Sequence, residues 1–173
     1  MKRVSSFASH CLWTIIEKII RWSPHPRIRS CALSMCGASV GTHVRIMEIF
    51  FANVQRGFGN LKLCDSVYIG PHCIFDLTGP IKIGPRTSVS PGCLFITHAD
   101  PGSMLGNLLS ELYPRRIAGI QIGSDSWIGA GTVILCGVAI GNRVIVGAGA
   151  VVTKDIPDGC LAVGNPISII KQL

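Results

Sequence analysis

One histidine stands in a setting that could do chemistry: His98, in Thr97-His98-Ala99-Asp100. An imidazole exchanges a proton near neutral pH and acts as a general base when it is held beside a hydroxyl. It sits at the base of residues 99–119, ADPGSMLGNLLSELYPRRIAG, a stretch unlike the sequence on either side. Long insertions in an otherwise regular chain commonly carry function. Cysteine offers a second source of chemistry, and there are eight: Cys11, Cys31, Cys36, Cys64, Cys73, Cys93, Cys136 and Cys160. They form no CxxC pair, and none has a histidine partner in sequence, so neither a thiolate metal site nor a thiol nucleophile is expected. They are most simply thiols of a reducing compartment, with Cys73 and Cys93 in the core.

What must position His98 is a repeat. From Ile122 an aliphatic residue recurs every six positions, at Ile128, Ile134, Ile140, Val146 and Val152. Four residues after each stand Ser126, Thr132, Val138, Val144, Ala150 and Ile156, while Gly123, Gly129, Gly141 and Gly147 directly follow four of the aliphatics. Neither a helix nor an ordinary strand generates a period of six. The pattern predicts an all-β parallel helix in which each hexad is a short strand and a corner, and three hexads close a coil. Both repeating positions should point inward, and glycine should supply the backbone conformation of the corner. Val40–Val44, Leu63–Val67, Ile69–Cys73, Ile83–Thr87 and Val89–Cys93 obey the same rule, with Phe75 and Phe95 in further aliphatic slots. The register slips by two between Ile81 and Ile83, which predicts one enlarged corner. Between Ile46 and Leu63 the pattern blurs, which predicts an irregular coil.

Ahead of the hexads, Ala8, Leu12, Ile15, Ile16 and Ile19 form an apolar stripe on a helix capped by Ser5 or Ser6 and stopped by Ser23-Pro24. The chain therefore divides into residues 1–39, a helix and lead-in, and residues 40–173, the β-helix. The helix is too short and too charged to span a bilayer. With Trp13 and Trp22 beside the stripe and Lys2, Arg3, Lys18, Arg21, Arg27 and Arg29 nearby, residues 7–22 could lie on an anionic membrane. The other role open to them is covering the first coil, with the stripe against it. The net charge of +7 suits polyanions. No recognition-helix pattern or interleaving of aromatic and basic residues marks a nucleic-acid surface. The N-terminus has no cleavable signal, so a cytoplasmic protein is expected.

The stretch from Ile120 onward resembles the C-terminal half of the hexapeptide-repeat acetyltransferases, above all the maltose, galactoside and capsular polysaccharide O-acetyltransferases. WIG at residues 127–129, GAGAVVTKDIP at 147–157 and VGNP at 163–166 carry the likeness. It extends back to about Leu63 and more weakly to RIRSCALSMCGASVG at residues 27–41. The resemblance implies a left-handed parallel β-helix and a homotrimer with active sites between subunits. It implies acetyl-CoA as donor and a sugar or glycan hydroxyl as acceptor. It makes His98 the general base for direct attack on the thioester, with backbone N–H groups near Gly129 and Ala130 receiving the oxyanion. Ala130, Ala148, Thr153, Lys154, Lys171 and Trp127 fall at coenzyme-contact positions. Of the family's basic pair at the C-terminal end only Lys171 is kept, because Ser168 replaces the other member. Asp76 lies near the family's acceptor-binding acid.

A serine O-acetyltransferase would share the coenzyme half but carries a large helical N-terminal domain, for which about forty residues leave no room. The β-helical zinc carbonic anhydrases need three converging histidines, whereas His43, His72 and His98 lie on separate coils, so no metal is expected. A non-catalytic scaffold is the remaining alternative, which the retained His98 and Lys154 argue against.

Overall fold

A computed structural model describes residues 2–55 and 57–173, with side chains from Phe7 onward. The chain winds about six turns of a left-handed parallel β-helix. Three faces run along it. The first stacks Ser39–Val40, Leu61–Leu63, Ile81–Ile83, Ile120–Ile122 and Ala139–Ile140 in register. The second stacks Arg45–Ile46, Tyr68–Ile69, Ser88–Val89, Trp127–Ile128, Ile145–Val146 and Cys160–Val163. Phe50–Ala52, Ile74–Asp76, Leu94–Phe95, Val133–Ile134 and Val151–Val152 make the third. The final strand, Ser168–Gln172, folds back antiparallel on Cys160–Val163. Each interior column is one hexad position: Ile69, Val89, Ile128 and Val146 are all buried, as are Ser126, Thr132, Val144 and Ala150.

The glycines of the repeat do a different job from the one their position suggests. None of Gly123, Gly129, Gly141 and Gly147 has a positive φ. A Cβ on Gly129 would lie 2.5 Å from the Ala148 nitrogen, and one on Gly123 would lie 2.6 Å from the Gly141 carbonyl carbon. These positions are bare because the next coil passes too close for a side chain. The left-handed turns stand elsewhere. Between the first and second faces they are taken by His43, Ser66, Arg86, Asp125 and Arg143, with φ of 53 to 58°. That strain is offset by side chains reaching between coils: Asp65 Oδ1 accepts from Thr42 N at 2.7 Å, Asn142 Oδ1 from Ser124 N at 2.8 Å, and Asp158 Oδ1 from Asn142 N at 2.8 Å. Between the second and third faces His72 is followed by Gly92, Gly131 and Gly149. His43 and His72 are thus corner residues on different edges.

The third corner, where the chain returns from the third face to the first, is tight in the fourth and fifth coils but swollen in the first three. Between paired interior positions it runs from Phe51 to Leu63, from Phe75 to Ile83 and from Phe95 to Ile122, against Ile134 to Ile140 in the fourth coil. The second swelling holds the two extra residues that shift the register, and the first accounts for the blurred hexads. In the third, His98–Ala99 pairs antiparallel with Arg116–Ile117, forming the stem of an arm.

Two helices cover the open first coil. Helix α1, Lys2–Arg21, starts ahead of Ser5 and Ser6, so neither caps it; the side chains of Lys2, Arg3, Ser5 and Ser6 lie outside the described ones. Helix α2, Pro26–Met35, is absent from the sequence expectation. The proline that ends α1 is followed by Pro26 at the first position of the next helix, where its lost N–H costs nothing, and His25 caps it by accepting from Arg27 N. The first coil has no coil before it to bond, and side chains stand in. Ser30 Oγ donates to Val44 O at 3.0 Å, Arg29 Nη1 to Ile46 O at 3.3 Å, and Glu17 Oε1 accepts from Phe51 N at 3.4 Å. Trp13 meets Phe58 edge-on, and the contact continues through Phe51 and Phe75 to Phe95, the last pair stacked at 4.3 Å. The face of α1 that does this is Trp13, Ile16, Glu17 and Ile20, whereas Leu12, Ile15 and Ile19 of the expected stripe are exposed.

Gly129→Ala should lower the unfolding free energy by about 2–3 kcal/mol, because backbone must move to admit the methyl group. Gly131→Ala, with nothing within 4 Å of its Cβ, should cost only what its φ of 68° imposes. Thermal unfolding of the two variants measures the difference, and equal losses would contradict the close-approach account.

Candidate active site

The swollen corners of three successive coils converge on one carboxylate. Asp76 ends the third-face strand of the second coil and is buried. Its Oδ1 accepts from Asn53 Nδ2 at 2.8 Å, Thr78 N at 3.0 Å and Thr78 Oγ1 at 2.6 Å. Its Oδ2 lies 2.9 Å from Thr97 N, 2.8 Å from Thr97 Oγ1 and 2.6 Å from His98 Nδ1. Asn53 comes from the first coil's corner, Thr78 from the second's, and Thr97 with His98 from the third's. Burial alone pushes the Asp76 carboxyl up. The bonds from Thr78, Asn53 and His98 outweigh it and hold the group well below the usual carboxylate range.

The resemblance placed Asp76 at the acceptor. With both oxygens occupied and the side chain buried, it instead stands beneath the histidine. A carboxylate at 2.6 Å can only accept, so His98 Nδ1 is the donor to Asp76 and Nε2 is the ring nitrogen left to the cleft. Among the described residues no protein atom bonds Nε2. His98 is partly exposed on a cleft of about 480 Å³, walled by Asn53, Thr78, Asp100, Met104, Arg115 and Ile117. Arg115 reaches toward Asp100, Nε to Oδ2 3.7 Å. Asn53, Thr78, Thr97 and Arg115 had not been singled out in the sequence.

Thr153 and Lys154 share the return edge with His98, two coils further along, about 10 Å at the spacing of paired strands. Ala130 and Ala148 lie on a different edge, between the second and third faces, where Gly131 and Gly149 leave the backbone open. Trp127 projects from the outer side of the second face, half exposed, and its Nε1 donates to Ser90 Oγ at 2.9 Å. Lys171 lies exposed on the final strand. A single chain therefore brings Asp76 and His98 together and keeps Trp127, Ala130 and Ala148 apart from them. Of the expected oxyanion donors, Gly129 N donates to Val146 O at 2.8 Å in the coil-to-coil ladder and is not free.

The bacterial transferase hexapeptide family (six repeats) matches residues 119–154. Over 114 residues the chain is 40% identical to a Staphylococcus aureus (strain Mu50) protein named, provisionally, as an acetyltransferase, a match covering 66% of this chain and 56% of that one. It spans little more than half the length of the curated relatives it matches. A crystal structure of a maltose O-acetyltransferase from Clostridium difficile 630 superposes with a TM-score of 0.80 at 26% identity, covering 97% of this chain and 88% of that one. A Vibrio cholerae hexapeptide-repeat acetyltransferase complexed with acetyl coenzyme A shares the fold, with a TM-score of 0.69 at 22% identity over 96% of this chain and 87% of that one.

Asp76→Asn puts an amide where only acceptors fit, so it should lower the unfolding free energy by about 2–4 kcal/mol. The native carboxyl is held low, so its contribution is full above the unfolded value of about 3.9 and is lost as pH falls from there toward the folded value. In the variant that acid-side loss should shrink, which urea unfolding at a series of pH values measures. An unchanged acid limb would contradict the wiring.

Proposed function

We propose that this chain is an acetyl-CoA-dependent O-acetyltransferase whose acceptor is a sugar or glycan hydroxyl. The observation that carries the reading is the 2.6 Å bond from His98, which lines a cleft, to a buried, six-fold bonded Asp76 behind it. Such an arrangement fixes one imidazole at the cleft beside a carboxylate, which is what a base requires. The relatives' names support the class, and the Clostridium difficile neighbour supports a sugar acceptor.

The donor supplies an activated acetyl thioester. His98 Nε2 takes the proton of the acceptor hydroxyl as its oxygen bonds to the acetyl carbon, and returns that proton to the departing sulfur. Asp76 keeps the ring in the required tautomer and balances its transient charge, as a carboxylate does behind any histidine base. Thr153 and Lys154 would hold the donor on the return edge, the lysine toward phosphate, with Lys171 further along. Ala130 and Ala148 would let the donor's chain lie close to backbone on the other edge, with Trp127 flanking it.

Because these two edges are separate on one chain, we propose a homotrimer in which a neighbour's corner completes each cleft. The arm supports this: Met104 and Leu105 are each 90% exposed, and Leu108, Leu112 and Tyr113 are exposed too, as on a surface made to lie against another subunit. We place the protein in the cytoplasm, where acetyl-CoA is made.

His98→Ala should leave thermal stability and acetyl-CoA binding nearly unchanged while lowering the transfer rate about 10²- to 10⁴-fold. Full activity in that variant, assayed against free and nucleotide-linked sugars, would overturn the assignment. Lys154→Ala should weaken acetyl-CoA binding by about 1–2 kcal/mol, and less so for a donor lacking the 3′-phosphate. Equal losses with both donors would put the lysine elsewhere.

A further inference from the structure

Helix α1 turns its mixed face inward and its apolar face outward. Trp13, Ile16, Glu17 and Ile20 lie against the first coil. Leu12, Ile15, Ile19 and Trp22, spaced as one helical stripe, are 55, 56, 65 and 76% exposed, and Phe7 a turn earlier is 71% exposed. From Leu12 to Trp22 the stripe runs about 15 Å. The cap over the first coil is complete without these residues, so closing the fold does not account for them.

Charge says what could cover them. Between Phe7 and Met47 the one acidic residue is Glu17, and it is buried against Phe51 N and Arg21. Arg21 lies over the Phe50 ring, and Arg29 is buried on backbone carbonyls. Among the described side chains, the charges left to solvent on the two helices, Lys18 beside the stripe and Arg27 at the start of α2, are positive; on the first coil Arg45 and Glu48 are both exposed. No described helix is long and apolar enough to cross a membrane.

We propose that the outer face of α1 is a docking site for an anionic lipid surface. Leu12, Ile15, Ile19 and Trp22 enter the boundary between headgroups and acyl chains, and Lys18 and Arg27 meet lipid phosphates. Tryptophan suits that depth because its ring is apolar and its N–H is not. Pairing the stripe with a second copy of itself would set Lys18 near Lys18 with no acid to separate them, which disfavours that occupant.

Flotation of the full-length protein with phosphatidylcholine vesicles, with and without about 30 mol% phosphatidylglycerol, tests this. At low salt, binding to the anionic vesicles should exceed binding to neutral ones by at least about ten-fold and fall steeply near 0.5 M salt. The double variant Ile15→Glu/Ile19→Glu should lose about ten-fold of that binding. Both positions face solvent, and thermal unfolding checks that the variant stays folded. Lys18→Glu, on the exposed flank, should weaken binding and flatten its salt dependence. Failure of the parent protein to bind anionic vesicles at low salt would overturn the proposal. So would equal binding by the parent and both variants. A third contrary result is a double variant that changes molar mass in light scattering while the parent ignores vesicles, which would make the face a seam between copies.

Discussion

Everything in this molecule depends on laying one coil of backbone on the next at strand spacing. The requirement reaches outside the strands, because corners must stack as closely as strands do. Gly123, Gly129 and Gly141 are bare where a neighbouring corner leaves no room for carbon. Asp65, Asn142 and Asp158 bond backbone N–H groups of the coil before them. Non-glycine residues from His43 to Arg143 accept left-handed backbone because the stack holds them there. The interior can then be filled with plain aliphatics, since direction is set by the frame.

A frame this strict leaves little space for chemistry, and the space is found at the return edge. Only there do corners grow, in three adjacent coils, and each contributes polar groups to the same carboxylate. Asp76 is a strand residue whose next inward neighbour would ordinarily be aliphatic. By collecting Asn53, Thr78, Thr97 and His98 it ties three loops into one rigid cluster. The histidine proposed above as the base is thereby fastened to the stacked strands at the foot of the arm.

The winding was legible in the sequence because one period of six writes the same physical demand many times over. His98 was legible from its place at the foot of an interruption. The contact between Asp76 and His98 was not, since the other partners of Asp76 come from residues 53, 78 and 97, separated in sequence and joined only once the coils stack. The signal that could have found them was present as the two-residue slip near Ile81 and the blur before Leu63, both marks of enlarged corners on one edge. Period alone likewise misassigned the glycines, since backbone freedom and lack of room look identical in a sequence. The stripe on α1 left two roles open in the sequence, a cover for the first coil and a membrane face; the first coil needed hydrogen-bonding groups, which Glu17, Arg29 and Ser30 supply, while Leu12, Ile15 and Ile19 stay exposed.

Placing the helical cover at the N-terminal end also sets a direction for assembly. Domains made on a ribosome appear from that end, so α1 and α2 precede the coil that needs their side chains. Each later coil then finds a finished edge to lie on, and the chain can wind as it emerges without waiting for distant partners. The exception is the interval in which residues 96–119 have been made and Ile120–Ile122 have not. Through that interval Ile81–Ile83 offers an unpaired parallel edge to whatever is near. The arm is thus the one stretch whose length delays closure, and lengthening it would extend the time the half-wound chain spends exposed.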